Sequence, residues 1–190
     1  WERYAMIKAR VIAGDRVAGE RLLEGLRPFV YRRYLDYGAF ESLREMKALI
    51  TQEMERKGMR RNIKLGPGGI REIEFIGQAF QLIYGGRDPA LRARGILRVL
   101  DHLAASGRMP EPAVASLKQA YDFLRRVENR LQAWADQQTH NLPDDELAKL
   151  RLAFAMGQPG WGAFTLELAR HAEAVSQQFA QVFGGPTTAP

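Results

Sequence analysis

The sequence contains no cysteine, which excludes disulfides, thiolate chemistry and the usual structural zinc sites. That suits a cytoplasmic protein. No apolar run approaches the length of a membrane span, so a soluble chain without a membrane partner is expected. The first residues, WERYAMIKAR, are charged and amphipathic, unlike a signal peptide. No useful stretch alternates apolar with polar residues, so no sheet is expected. No repeat-length period recurs, which removes solenoids. Asp-x-Asp is also missing, and two-metal phosphoryl transfer normally needs clustered carboxylates of that kind. Asp144 and Asp145 are adjacent, but capping of a helix start explains them. His102, His140 and His171 show no metal-ligand spacing and no paired nucleophile, so surface or loop positions are expected for them, with His140 near something polar. By itself, the chain is expected to hold no metal and no catalytic centre.

What is present points to helices. At 190 residues and 46% hydrophobic the chain can bury a sizeable core. Gly and Pro punctuate helical patterns over 1–13, 16–26, 39–57, 69–84, 90–105, 112–137, 144–157 and 161–183. Pro28 is expected to interrupt the second, followed by an aromatic cluster of Phe29, Tyr31, Tyr34 and Tyr37. Asn62–Leu65 has room for one short extended piece. The fold class is therefore all-α: a multi-helix bundle of about seven or eight helices with short loops and no sheet. The helical domain spans 1–183, with room for two lobes divided near 60–66, and 184–190 reads as a disordered tail. The net charge of +6 suits nucleic acid, nucleotide phosphates, an acidic protein, or simply solvated helix faces. Its basic residues are spread through the helices without aromatic interleaving, so nucleic acid is not an expected partner.

The chain is organised around Asn62–Tyr84, NIKLGPGGIREIEFIGQAFQLIY. A Gly/Pro hinge leads into the most apolar helix, on which Arg71, Glu74, Gln78 and Gln81 form one polar line. A polar line on a buried helix must find partners or border a wet cavity. Gly68 and Gly69 expose amides where the helix starts, flanked by Lys64 and Arg71. That arrangement fits a phosphate or carboxylate contact, although composition alone favours a tight turn that lets helices approach. It is not a P-loop, which needs Gly-Lys-Ser/Thr after its spacer. Glu72 and Glu74 diverge by about 200° around the axis and cannot share one ion. Glu74 lies on the face of Arg71, and an internal ion pair between them is the simplest account.

KLGPGGIREIEFI (Lys64–Ile76) and GGRDPALR (Gly85–Arg92) resemble the bacterial glutamine synthetase adenylyltransferase/adenylyl-removing enzyme family. The resemblance continues through Trp1–Asp15, Arg27–Lys47 and Phe123–Pro143, and so covers nearly the whole chain. It implies a helical domain that follows the first of two nucleotidyltransferase cores, the one associated with removing AMP from glutamine synthetase. The Asp-x-Asp strand would then lie before Trp1. It also implies ATP, phosphate and Mg²⁺ for the parent enzyme, with none expected in this segment. The implied partners are glutamine synthetase, the PII signal protein and the preceding core. On this resemblance the domain closes one side of a nucleotide cleft. Arg71 and Glu74 would be its catalytic contributions, and Lys8, Arg10, Lys64, Gly68 and Gly69 would meet phosphate. The alternative is a regulatory docking module for PII or glutamine synthetase. Two departures from the family pattern stand out: Asn62 where Asp is common, and Gly77 where a larger apolar residue is usual.

Overall fold

A computed structural model describes residues 2–31, 45, 52, 61–134 and 136–184. The helix expected over 39–57, the aromatic residues Tyr34 and Tyr37 and the tail after Gly184 lie outside these, apart from isolated helical positions at 45 and 52. Among the described residues there are seven α-helices and no strand, only one isolated antiparallel bridge between Asn62 and Asn141. The all-α expectation holds. The chain divides into two compact units, residues 1–45 with 75–111 and residues 46–74 with 112–190. Each draws on two stretches of sequence, not on one side of a cut near 60–66.

In the first unit, α1 covers Glu2–Met6 and α2 covers Arg16–Val30. The helix expected over 1–13 therefore stops at Met6. Past it, Ile7 is buried, Ile12 is exposed, and Lys8 donates its Nζ to the carbonyl of Arg94 at 2.7 Å. Asp15 caps α2, accepting from the amides of Val17 and Ala18 at 2.9 and 3.0 Å. α2 then runs through Pro28, where an interruption was expected. Proline gives up the hydrogen bond to the turn before it and crowds that turn's carbonyl, and the helix ends two residues on, at Val30.

The rest of this unit is built on the C-terminal two-thirds of α3 (Ile70–Tyr84) and on α4 (Ile96–Ala105), joined by a 3-10 helix over Pro89–Arg92. Phe75, Ile76, Ala79 and Ile83 are buried on α3, and Val99, Leu100 and Leu103 on α4. Gly77 lies close against α4: a Cβ there would sit 2.2 Å from Cδ1, the tip of the buried Ile96 side chain, which would have to move aside. Gln81, at the end of the polar line, is 1% exposed and donates Nε2 to the carbonyls of Leu91 and Ala93 at 2.6 and 2.8 Å. Arg92 donates to the carbonyls of Gly85 and Gly86 at 2.6 and 3.2 Å. These contacts hold the loop between α3 and α4.

The second unit contains the hinge, the first residues of α3, α5 (Glu111–Ala133), α6 (Glu146–Ala155) and α7 (Trp161–Phe183). Its core forms between the apolar line of α5 and that of α7, where Phe123 stacks on Phe164 and on the His171 ring. His171 is buried, contrary to the surface or loop position expected for it. Burial pushes its pKa down and nearby Arg170 adds to this, while Glu167 opposes them. Asp145 caps α6 by accepting from Ala148 at 2.9 Å. Asp144, expected in that role, instead pairs with Arg61.

Candidate functional site

The hinge is set by Asn62. Its side-chain oxygen accepts from the amides of Lys64 and Leu65 at 3.1 and 2.9 Å, and its amide donates to Oδ1 of Asn141 at 2.9 Å. The single bridge to Asn141 fastens the same point through the backbone, with Ile63 donating to His140 at 2.9 Å and Leu142 to Arg61 at 3.0 Å. The short extended piece expected over Asn62–Leu65 is thus one bridge followed by a turn.

The glycines that follow are explained by close approach. Gly68 has φ +69°, and a Cβ on it would lie 2.2 Å from the carbonyl oxygen of Ala172 on α7. On Gly69 a Cβ would meet the carbonyl oxygens of Ile63, Lys64 and Gly66, each at 2.8 Å. The amides at the start of α3 already have partners. Gly68 donates to Glu72 Oε2 at 3.0 Å, Gly69 to Gly66, Ile70 to Ile63 and Arg71 to Lys64. As set here, they are not free to receive an anion, and any phosphate contact at the hinge falls to side chains.

One of those side chains is anchored. Glu128, on α5, is 3% exposed and is reached from three directions. Arg125 Nη1 lies 2.6 Å from one carboxylate oxygen, while Lys64 Nζ at 3.4 Å and His140 Nδ1 at 3.2 Å share the other. Tyr121, Arg125, Glu128 and Gln132 recur at helical spacing on one face of α5. Gln132 lies 3.4 Å from the His140 ring. Burial pushes the pKa of His140 down, and Lys64 pushes the same way, with Glu128 opposing and Arg125 assisting. The ring is therefore neutral at pH 7. The Glu128 carboxylate can only accept and calls for a proton on Nδ1, whereas the Gln132 amide nitrogen donates toward the same atom, so one neutral tautomer does not satisfy both contacts. Burial pushes the Tyr121 phenol up, Glu74 and Glu128 adding to the rise and Arg125 opposing it.

The sequence-predicted residues divide between the units. Lys64, Gly68, Gly69, Arg71 and Glu74 belong to the second, and there Lys64 and Glu74 border the Glu128 group. Arg71 and Glu74 are half-buried, and no ion pair joins them among the described residues. The Arg71–Glu74 pair expected from their shared face is not formed. Lys8 and Arg10 belong to the first unit, Lys8 held on Arg94 and Arg10 exposed. His140 is beside polar groups, as expected. Sequence reasoning missed Glu128. Its signal was a gap: between Leu124 and Leu131 the apolar line of α5 passes through position 128, where a carboxylate stands. Among the described residues no three His, Asp or Glu side chains cluster as a metal site would require, and Glu128 is taken up by cations.

Motifs, helical architecture and this polar group together define a helical domain, and a family model decides which. The chain belongs to the family described as GlnD PII-uridylyltransferase, whose model matches residues 44–183. At the level of single proteins, it is 61% identical to the bifunctional glutamine synthetase adenylyltransferase/adenylyl-removing enzyme of Nitrosococcus oceani. That match covers 98% of this chain and 19% of the relative. The enzymes of the same name from Thioalkalivibrio sulfidiphilus and Pseudomonas aeruginosa are 60% and 56% identical over the same shares. The resemblance read from the hinge motifs is thereby shown. The chain spans about a fifth of the length of these curated relatives.

Proposed function

We propose that this chain is the helical domain of a bifunctional enzyme that adenylylates and deadenylylates glutamine synthetase. In this reading it serves the N-terminal, adenylyl-removing half and helps to close that half's nucleotide cleft. The observation that carries the reading is the identity of 61% over 98% of this chain. The Glu128 group supports a role at phosphate. It balances one carboxylate against Lys64 and Arg125 and leaves a surplus positive charge beside the hinge, where Arg71 and Glu74 also stand. Lys64 and Arg71 would neutralise a phosphodiester or the attacking phosphate, and Glu74 would orient its neighbours. Lys8 and Arg10 would meet phosphate within the first unit, as a contact of its own. The parent reaction would use ATP and Mg²⁺. The described residues of this chain offer no carboxylate cluster for the metal.

The test restores the preceding core and replaces Arg71 with Ala. Adenylyl removal should fall at least tenfold while the melting temperature holds. An unchanged rate in a folded protein ends the assignment. A second reading, a docking module for the PII signal protein or glutamine synthetase, has its own observation. Leu147, Leu150 and Phe154 recur at helical spacing on α6 and are 54%, 56% and 84% exposed. Calorimetry of the chain against PII separates the two, since the first reading needs no binding there.

A further inference from the structure

The first unit contains a cleft of about 430 Å³ whose floor is apolar, formed by Met6, Ile7, Leu23, Leu26 and Val30. Its charged lining is one-sided: Arg10, Arg27, Arg92 and Arg94 against a single carboxylate, Glu20. Two of these guanidinium groups are already engaged. Arg27 lies 3.5 Å from Glu24, and Arg92 is held by the carbonyls of Gly85 and Gly86 and lies over the Tyr31 ring. Arg10 and Arg94 have no carboxylate partner among the described residues, and both also border an adjoining hollow with Arg16. Glu20 borders both hollows but is one carboxylate among several guanidinium groups, and like charges in excess of their counter-charge repel, a cost that a bound anion removes. Guanidinium favours phosphate in particular, because its fork matches two oxygens at once. The volume lies in the range of small-molecule sites.

We infer that this cleft binds an organic phosphate, with its phosphate between Arg10 and Arg94 and its flat or apolar part on the floor beside Tyr31. The floor separates this from a site for phosphate alone. The pocket-like size separates it from a groove for an acidic peptide. The inference deepens the phosphate role proposed above for Arg10 and rests on that reading for that residue only.

The test is calorimetry on the whole chain with four probes: AMP, adenosine, inorganic phosphate and a hexaglutamate peptide. AMP should bind at least tenfold more tightly than each of the others. Arg94→Ala should weaken AMP at least tenfold, and Arg10→Ala should do so independently. Arg94→Ala keeps the carbonyl that Lys8 holds, and an unchanged thermal melt verifies its fold. Arg170→Ala, on α7, should leave the affinity within twofold. Equal binding of AMP and inorganic phosphate overturns the inference. So does tighter binding of hexaglutamate, or AMP affinity unchanged in both cleft variants. Adenylyl removal is measured in the parent reaction and AMP binding in this chain, so either reading can fail while the other stands.

Discussion

Glu128 and Asp88 each gather an arginine and a histidine, one carboxylate in each unit. Asp88 takes His102 Nε2 at 2.7 Å and Arg108 Nη1 at 2.8 Å on one oxygen, while its other oxygen accepts from the Ala90 amide at 3.2 Å. It is therefore a backbone cap with side chains attached, and His102, beside it, holds its carboxyl below the usual range. Among the described residues the Glu128 carboxylate bonds only side chains. It is far more buried, with side-chain exposure of 3% against 18% for Asp88, and it collects side chains from the hinge, α5 and the loop before α6. The first arrangement is what a loop needs to stay in place. The second joins the hinge, α5 and the loop before α6 through one buried carboxylate with more cations than it can neutralise, and this difference makes the Glu128 group the candidate site.

The largest expected effect tests the burial half of that contrast. Glu128→Ala leaves Lys64 and Arg125 side by side without a counter-charge. It should cost about 3 kcal/mol in urea unfolding, the low end for a broken buried pair because both cations are partly exposed. Asp88→Ala should cost less, about 1 kcal/mol, the scale of a lost cap with surface ion pairs. Equal losses would erase the distinction between the two carboxylates.

Acid should separate them further. His140 and His171 are pushed below the ordinary 6.5 in the native state. The unfolded chain therefore binds protons first, and stability falls as pH drops from about 6.5 toward their lowered values. Asp88 and Glu167 are held below their ordinary carboxylate values. Their contribution is present above those values and is lost only at lower pH, as the native groups protonate. Unfolding free energy against pH should therefore fall in two steps. His140→Gln should shrink the first and Asp88→Asn the second. The smallest stability effect is expected for Lys64→Met, under about 1 kcal/mol because the ammonium is partly solvated. In the restored parent enzyme the same change should lower adenylyl removal by more than its stability loss explains.

Much of the fold was legible because helix signals are local. The expected span 69–84 is observed as Ile70–Tyr84, and 161–183 as Trp161–Phe183. Gly, Pro and the apolar period marked those ends without help from packing. Errors arose where tertiary demands override the local pattern. α1 stops at Met6, well short of Gly14, and α2 runs on through Pro28 to Val30. The site was half legible. Lys64 and Glu74 could be named from the hinge motif, but Glu128 stands in an apolar line and Asp88 in a turn. Their partners lie 3 to 64 residues away in sequence, and only the Arg125–Glu128 step is one that a helical period reveals.

The way Asn62 is held bears on how this position can drift between relatives. Its amide nitrogen gives one hydrogen bond to Asn141, and its oxygen receives two from the hinge backbone. An aspartate there would keep both bonds to the backbone but lose the donor, and would face the oxygen of Asn141. Rotating the Asn141 amide by half a turn presents its nitrogen instead, and the carboxylate then receives three donors. One side-chain flip at 141 is thus enough to exchange a neutral hinge anchor for a charged one. Replacing Asn141 by Asp closes that route. In that background Asn62→Asp should destabilise the hinge well beyond its effect in the native chain.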